Sequence, residues 1–534
     1  MNRRKGMPLL PRVPSKGRPS KTSSLLSDAP GGAAAPGLPQ PAHSGASPYV
    51  VHTELGTTAV PQQAHPQART LLRRMMEDAA PPTTTFNIVD RLVGSPYANP
   101  TVTETEAAED VARPILLFTL DLAETMIRWG ASALDVETSV IAVTTSLGLR
   151  HVDIDITNQS VHLNWAPPEG LPASILRVVR SSSDNFAGLS LVHQLVGDIT
   201  AGRVGLDFAR SRLRSIRRRP KPYNKPIVIA AGALFAGLFV LVIGGTPRGA
   251  LAAVVSGLLV TLVTRLGDRW RIPTFFSIAA GTSVATIIAL ILYSNDWLKN
   301  PELVVAGGIM LLLPSGRFVS AVQDAINGFP VTAVGRLFSA MIIYAAIIAG
   351  VMFGAVSGRW FNLPKLDALL AAEPPKPTLL LPVLCALVMI AVACGSIVQQ
   401  VAPRYLITTS SIAVVGYLVN YGAVHFAGAG ERLAPAAAAV VMGLMARLIG
   451  LRIGTTPLVL AVPAIVILLP GLSIFRSMYG MALETSDVTV SIVNMFTSFT
   501  IILGVAAGVA LGDTLARPFT KDWNAKSRRR IRRR

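Results

Sequence analysis

The stretch "GGIMLLLPSGRFVSAVQDAINGFPVTAVGR", from Gly307 to Arg336, begins as an apolar helix and ends as an amphipathic one. The apolar run stops at Pro314, Arg317 follows within three residues, and Asp324 lies seven further on. The pattern half returns in "AIVILLPGLSIFRSMYG", from Ala464 to Gly480. Proline removes one backbone donor and frees the carbonyl one turn earlier. In a bilayer those groups need partners, so such a break belongs where it lines a cavity or packs on protein. Two like breaks therefore point to a polytopic α-helical membrane protein whose site is built at interrupted helices.

Composition agrees. The 534 residues are 51% hydrophobic and 15% charged, with a mean hydropathy of +0.49, values of a membrane protein rather than a soluble enzyme. Much of the formal net charge of +19 sits in "RSRLRSIRRRPKPYNK" (Arg210 to Lys225) and "KDWNAKSRRRIRRR" (Lys521 to Arg534), which flank the apolar region. Clusters placed there act as topology signals and attract anionic lipid headgroups. No basic face interleaved with aromatics is present, so nucleic acid is not an expected partner. The nine-residue spacing of Cys385 and Cys394 puts them on opposite faces of a helix, which implies packing residues and neither a disulfide nor a metal pair.

Residues 1–113 are rich in Pro, Ala, Gly, Ser and Thr with little apolar periodicity, and are expected to form a disordered tail. Its first residues are basic but lack an apolar core, so no secretory signal is expected and the N-terminus is expected in the cytoplasm. Residues 114–225 read as a small cytoplasmic α/β domain followed by a basic juxtamembrane segment. Pro114 opens a helix running to Gly130, and a second helix ends at Gly148. "HVDIDIT" and the residues Val161 to Trp165 alternate as a hairpin, "SILRVVRS" supplies a third strand, and two further helices follow. His151, Asp153 and Asp155 share one strand face with His162 and Asn164 beside it. Such a cluster could ligate a metal or serve as acid and base, whereas strand alternation supplies a polar, solvated face in any case.

From Pro226 onward, apolar runs able to cross a hydrocarbon core of about 30 Å fall near 226–245, 249–266, 273–293, 301–314 and 334–356. Five more fall near 378–397, 405–426, 433–449, 456–470 and 489–512. The short fourth and ninth runs are those that end at Pro314 and Pro470. About ten crossings place both termini on one side, and the flanking arginines make that side the cytoplasm. The membrane region then divides into five-helix halves, 226–360 and 361–515, before a basic cytoplasmic tail at 516–534. With an odd number of crossings per half, the halves enter from opposite sides, as in inverted repeats.

If the chain resumes as a helix after Pro314, Phe318, Val322 and Ile326 form its apolar stripe. Arg317, Ser320, Asp324 and Asn327 then lie on the opposite face. That face either lines a polar pathway, with Asp324 as partner for a proton or an ammonium, or belongs to an interfacial helix solvated by the cytoplasm. Asn420 and Asn494 stand out elsewhere in the apolar runs, because a carboxamide in lipid needs partners beyond its own helix. The candidate path therefore comprises Pro314, Gly316, Arg317, Ser320, Asp324, Asn420, Pro470, Gly471 and Asn494. Phosphate-binding, zinc-hydrolase and serine-hydrolase motifs are absent from the sequence. No cofactor and no enzymatic centre are expected, and a carrier driven by an ion gradient, in the first place protons, remains.

The order of parts, with "WGASALDVETSVIAVTTSLGL", "RVVRSSSDNFAGL" and "SAVQDAINGFPVTAVGRL", resembles the threonine/serine exporter family over residues 114 to about 515. The resemblance implies secondary export of threonine and serine across a bacterial plasma membrane, coupled to protons. It places the family's Pro-Gly step on Pro470-Gly471 and its aspartate on Asp324, whereas Pro314 is followed by Ser315 and only then Gly316. Two other readings stay open on the residues themselves. One is a membrane-anchored enzyme using the His151/Asp153/Asp155 face, and the other is a membrane scaffold whose soluble domain binds a partner.

Overall fold

The computed structural model describes Tyr97 and residues 109–166, 172–180, 183–360, 375–430, 432–482 and 488–531. The expected tail lies outside these residues apart from Tyr97, in a turn, and 109–113, already part of a helix. Helix α1 spans Glu109–Arg128, so Pro114 does not open it but sits within it. A proline near a helix start costs few bonds, because little of the ladder lies ahead of it, and Arg210 Nη2 donates to the Pro114 carbonyl at 2.5 Å.

Helix α2 (Ala133–Ser146) is capped by Ser132, whose hydroxyl accepts from the Asp135 amide at 3.1 Å. Strands β1 (Val152–Thr157), β2 (Ser160–Trp165) and β3 (Ala173–Val178) form an antiparallel meander. Val152, Ile156, Val161, Leu163 and Trp165 are buried, while His151, Asp153, Asp155 and His162 are exposed. Helices α3 (Phe186–Thr200) and α4 (Leu206–Arg218) complete the unit, with Ala209, Leu213 and Ile216 buried on the inner face of the otherwise basic α4.

The apolar region then supplies α5 (Lys225–Val242), α6 (Pro247–Arg269), α7 (Thr274–Ser294), α8 (Pro301–Met310), α9 (Ser315–Ile326) and α10 (Pro330–Trp360). A second series comprises α11 (Leu381–Val398), α12 (Leu406–His425), α13 (Ala434–Ile453), α14 (Pro457–Ile465), α15 (Gly471–Ala482) and α16 (Val488–Ile531). Among the described residues, 8 helices are long and apolar enough to cross a membrane, or up to 10 if each bent pair, α8 with α9 and α14 with α15, is one span. Helix α16 continues through Pro518 to Ile531, into the basic segment expected from 516. Good helix formers extend it past the apolar window.

Small residues set the closest crossings. A Cβ on Gly350 would collide with Thr282 and the Ala279 carbonyl, and one on Gly354 would lie 2.9 Å from the Ser283 carbonyl. Thus α7 and α10 run side by side in the same direction, with Ser283 donating to the Gly350 carbonyl at 2.8 Å. In the second series α13 and α16 also run parallel, Gly504 against Ala436 and Gly512 against Val440. In each series a bent pair lies between two parallel helices, as it must if the pair itself crosses. Close backbone approach of this kind substitutes for a hydrophobic driving force between helices in lipid. Gly512→Val is expected to destabilise the bundle by about 1–3 kcal/mol through overpacking, read as a lowered thermal midpoint in detergent. An unchanged midpoint would show that the crossing can relax.

Candidate transport site

The first break begins where α8 ends at Met310 and α9 restarts at Ser315, with Pro314 at ψ 55° and a bend of 59°. In the second, α14 tightens into a 3₁₀ turn over Val466–Leu468, Leu469 is extended, and α15 starts at Gly471 after a bend of 55°. The amides of Ser315 and Gly471 turn back to the carbonyls of Leu313 (2.8 Å) and Leu469 (2.9 Å). Ser315 thus occupies the same structural place as Gly471. Neither it, nor Gly316, nor Gly471 has a positive φ, so backbone freedom is not what these glycines supply.

They supply space. A Cβ on Gly471 would lie 3.0 Å from Met310 Sδ, and one on Gly316 would lie 3.2 Å from Val462 Cγ1. The start of α15 therefore packs on the end of α8, and the start of α9 packs on α14. Two breaks separated by more than a hundred residues of sequence meet in the bundle.

Next to the first break lies a cavity of about 420 Å³. One wall is the break itself, from Leu311 to Arg317, with Ser320 on the next turn of α9. Leu458 and Val462 of α14, Arg336 and Ser339 of α10, and Val398 and Gln399 at the end of α11 form the sides. Arg128, Asn158, Gln159, Arg180, Ser183 and Asp184 of the N-terminal domain line its remaining side. Arg128 is held by Glu124 at 2.6 Å. Arg317, from the first turn of α9, brings a guanidinium and the positive end of a helix to one surface.

Asp324 is fully buried, neither lining the cavity nor solvated. Its Oδ1 accepts from the Ala133 amide at 2.8 Å, and its Oδ2 lies 3.0 Å from Arg336 Nη1, an ionic contact without hydrogen-bond alignment. Arg336 Nη2 donates to the Ala131 carbonyl at 2.8 Å, and Thr332 Oγ1 donates to the Ile156 carbonyl at 2.7 Å. The pair therefore fastens α9 and α10 to the N-terminal domain. Asn420 is half-buried with its Oδ1 unmatched, Asn494 is exposed, and neither reaches the cavity.

Sequence reasoning passed over three buried charged pairs. Arg336 with Asp324 is one. Arg447 Nη1 grips both Asp513 oxygens at 2.9 and 3.1 Å between α13 and α16, and Glu302 of α8 faces Arg476 of α15 at 3.5 Å. Ionisable residues inside apolar runs are expensive, which was the available signal.

Asp135, in the first turn of α2, sits within the electrostatic reach of Asp513, Arg447 and Asp324. Burial pushes its carboxyl up to about 6, opposed by the Ser132 hydrogen bond. A folded-state value above the ordinary 3.8 means that the fold binds the extra proton between those limits. Stability is then lost as pH rises through about 6, by about 1–3 kcal/mol. Asp135→Asn should flatten that slope in thermal unfolding from about pH 5 to pH 7.5. An unaltered slope would assign it to other groups.

Two family models match the chain, "Putative threonine/serine exporter" over residues 117–357 and "Threonine/Serine exporter, ThrE" over residues 384–515. A "Probable threonine/serine exporter" of Mycobacterium tuberculosis is 30% identical over 414 residues, covering 76% of this chain and 77% of the relative. The chain belongs to the threonine/serine exporter family. A "Threonine/serine exporter" of Corynebacterium glutamicum is 28% identical over 408 residues, covering 74% of this chain and 81% of the relative. No solved structure matches the chain. The family assignment makes it a multi-pass helical membrane protein, in keeping with its apolar helices. The two matched segments are separated by residues 358–383, from the end of α10 to the start of α11, and the first takes in most of α1 and the three strands.

The exposed His151/Asp153/Asp155 face lies outside the cavity. Among the described residues no group of three or more His, Cys, Asp or Glu side chains is placed to hold a metal.

Proposed function

We propose that this protein is a secondary carrier that exports small amino acids, threonine and serine among them, across a bacterial plasma membrane, coupled to protons. The observation that carries the reading is the meeting of two interrupted helices beside a polar cavity, the arrangement of carriers with a site at the midplane. In this reading each bent pair is one span, giving ten crossings with both termini and the N-terminal domain in the cytoplasm. The basic α4 beside the first span, attractive to anionic headgroups, supports that orientation.

An inverted repeat of α5–α10 and α11–α16 is supported by reciprocal packing. Helix α5 packs on α11, α8 on α15 as α9 on α14, and α9 on α16 as α10 on α15. Each contact has its partner when the halves are exchanged.

The cavity offers what a hydroxy amino acid needs. Arg317 at the positive end of α9 suits the carboxylate, Asp184 and the carbonyls ending α8 suit the ammonium, and Ser315, Ser320 or Ser339 suits the hydroxyl. Asp324 is engaged by Arg336 and holds the walls rather than the solute. The test is counterflow of labelled threonine in proteoliposomes, with serine and other small solutes as competitors. Arg317→Gln should weaken apparent affinity about tenfold, the loss of one charged hydrogen bond. Wild-type protein that exchanges neither threonine nor serine would overturn the reading.

A further inference from the structure

The same reciprocal packing exposes an asymmetry. Counted from the two prolines, Glu302 lies as far before Pro314 as Leu458 lies before Pro470. Arg476 lies as far after Pro470 as Ser320 lies after Pro314. The contact of α8 with α15 and the contact of α9 with α14 are therefore the same contact in the two halves. On one side it is closed by charge, with Glu302 2% exposed and its Oε1 3.5 Å from Arg476 Nη2. On the other side the matching residues, Leu458 and Ser320, carry no charge and line the cavity.

We propose that Glu302 and Arg476 are the gate that holds the external side of the transport path shut while the cavity is open toward the N-terminal domain. The inference rests on the transport reading above and adds to it the residues that must part. An acid in the first turn of a helix ordinarily complements the helix dipole from water. Glu302 instead is enclosed, meets a counter-ion from the other half of the protein, and has Asn300 Nδ2 at 3.4 Å as its other neighbour. Its Oε2 finds no hydrogen-bond partner among the described residues. A buried pair with an unmatched oxygen recovers only part of its desolvation cost, so water entering between α8 and α15 would favour its separation. Parting this pair while α9 and α14 close on Ser320 and Leu458 would exchange the states of the two halves.

The test uses a reporter thiol at the break. In the full chain with Cys385→Ala and Cys394→Ala, Ser315→Cys is labelled by a membrane-impermeant maleimide applied from the external face. Glu302→Gln and Arg476→Gln should each raise the external labelling rate about tenfold, and the exchanged pair Glu302→Arg/Arg476→Glu should bring it back. Labelling from the cytoplasmic face, in inverted vesicles, reports that each variant is folded. Should a neutral variant fail to insert, Glu302→Asp keeps the charge, shortens its reach by one methylene and should raise external labelling likewise. Folded single variants that label no faster than the parent overturn the gate. The transport reading fails separately, if wild-type protein gives no counterflow of threonine.

Discussion

Asp324→Asn is expected to lose uphill export and downhill exchange together, and to lower stability by about 3–5 kcal/mol, because it leaves a buried guanidinium without its counter-ion. The asparagine can still accept from the Ala133 amide, but Arg336, whose side chain is 11% exposed, has no other acid within ion-pair distance among the described residues. Helices α9 and α10 would then part from the N-terminal domain, and the wall formed by Arg336 and Ser339 would lose its support. Removing both charges, as in Asp324→Asn/Arg336→Met, should recover most of the stability, since neutral partners of similar volume carry no desolvation cost. Thermal unfolding in detergent and paired transport assays decide the matter. A variant that keeps exchange and loses only proton-driven export would make Asp324 the proton carrier, one of the roles its sequence position left open.

Gly471→Leu should have the second large effect. The leucine Cβ would start 3.0 Å from Met310 Sδ, and its branches would have to enter the junction of α8 and α15 beside the Ala306 carbonyl, 3.8 Å from that Cβ, and Phe239. Overpacking of this kind costs about 1–3 kcal/mol, and here it falls on the surface where the two breaks touch. Transport is expected to fall at least tenfold, about 1.4 kcal/mol in the barrier, while insertion survives. Gly471→Ala should be far milder, because Met310 can swing away from a single methyl. Equal, large losses in both variants would return the glycine to a conformational role.

Much of the architecture was legible. Apolar runs gave the membrane helices, period-two alternation gave the hairpin with His151, Asp153 and Asp155 outward, and Pro314 and Pro470 marked both breaks. What periodicity cannot show is what a face meets. Asp324 was placed on the polar face of α9, leaving a pathway or solvent as its environment. Its actual neighbour is an amide 191 residues away in sequence. Asn494 shows the same limit in reverse, since a carboxamide in an apolar run does not reveal whether it points inward, and this one is exposed. The pairs Glu302/Arg476 and Arg447/Asp513 depend on which helices adjoin, and that depends on glycines whose packing role no local pattern announces.

Transport by this path requires the two breaks to move against each other as the path changes sides. A cross-link tests this most directly, using Gly316→Cys with Val462→Cys in protein carrying Cys385→Ala and Cys394→Ala. A Cβ at Gly316 lies 3.2 Å from Val462 Cγ1, close enough for a bridge. Oxidation should join α9 to α14 and stop threonine counterflow, and reduction should restore it. Full counterflow through the oxidised, quantitatively bridged protein would contradict the account.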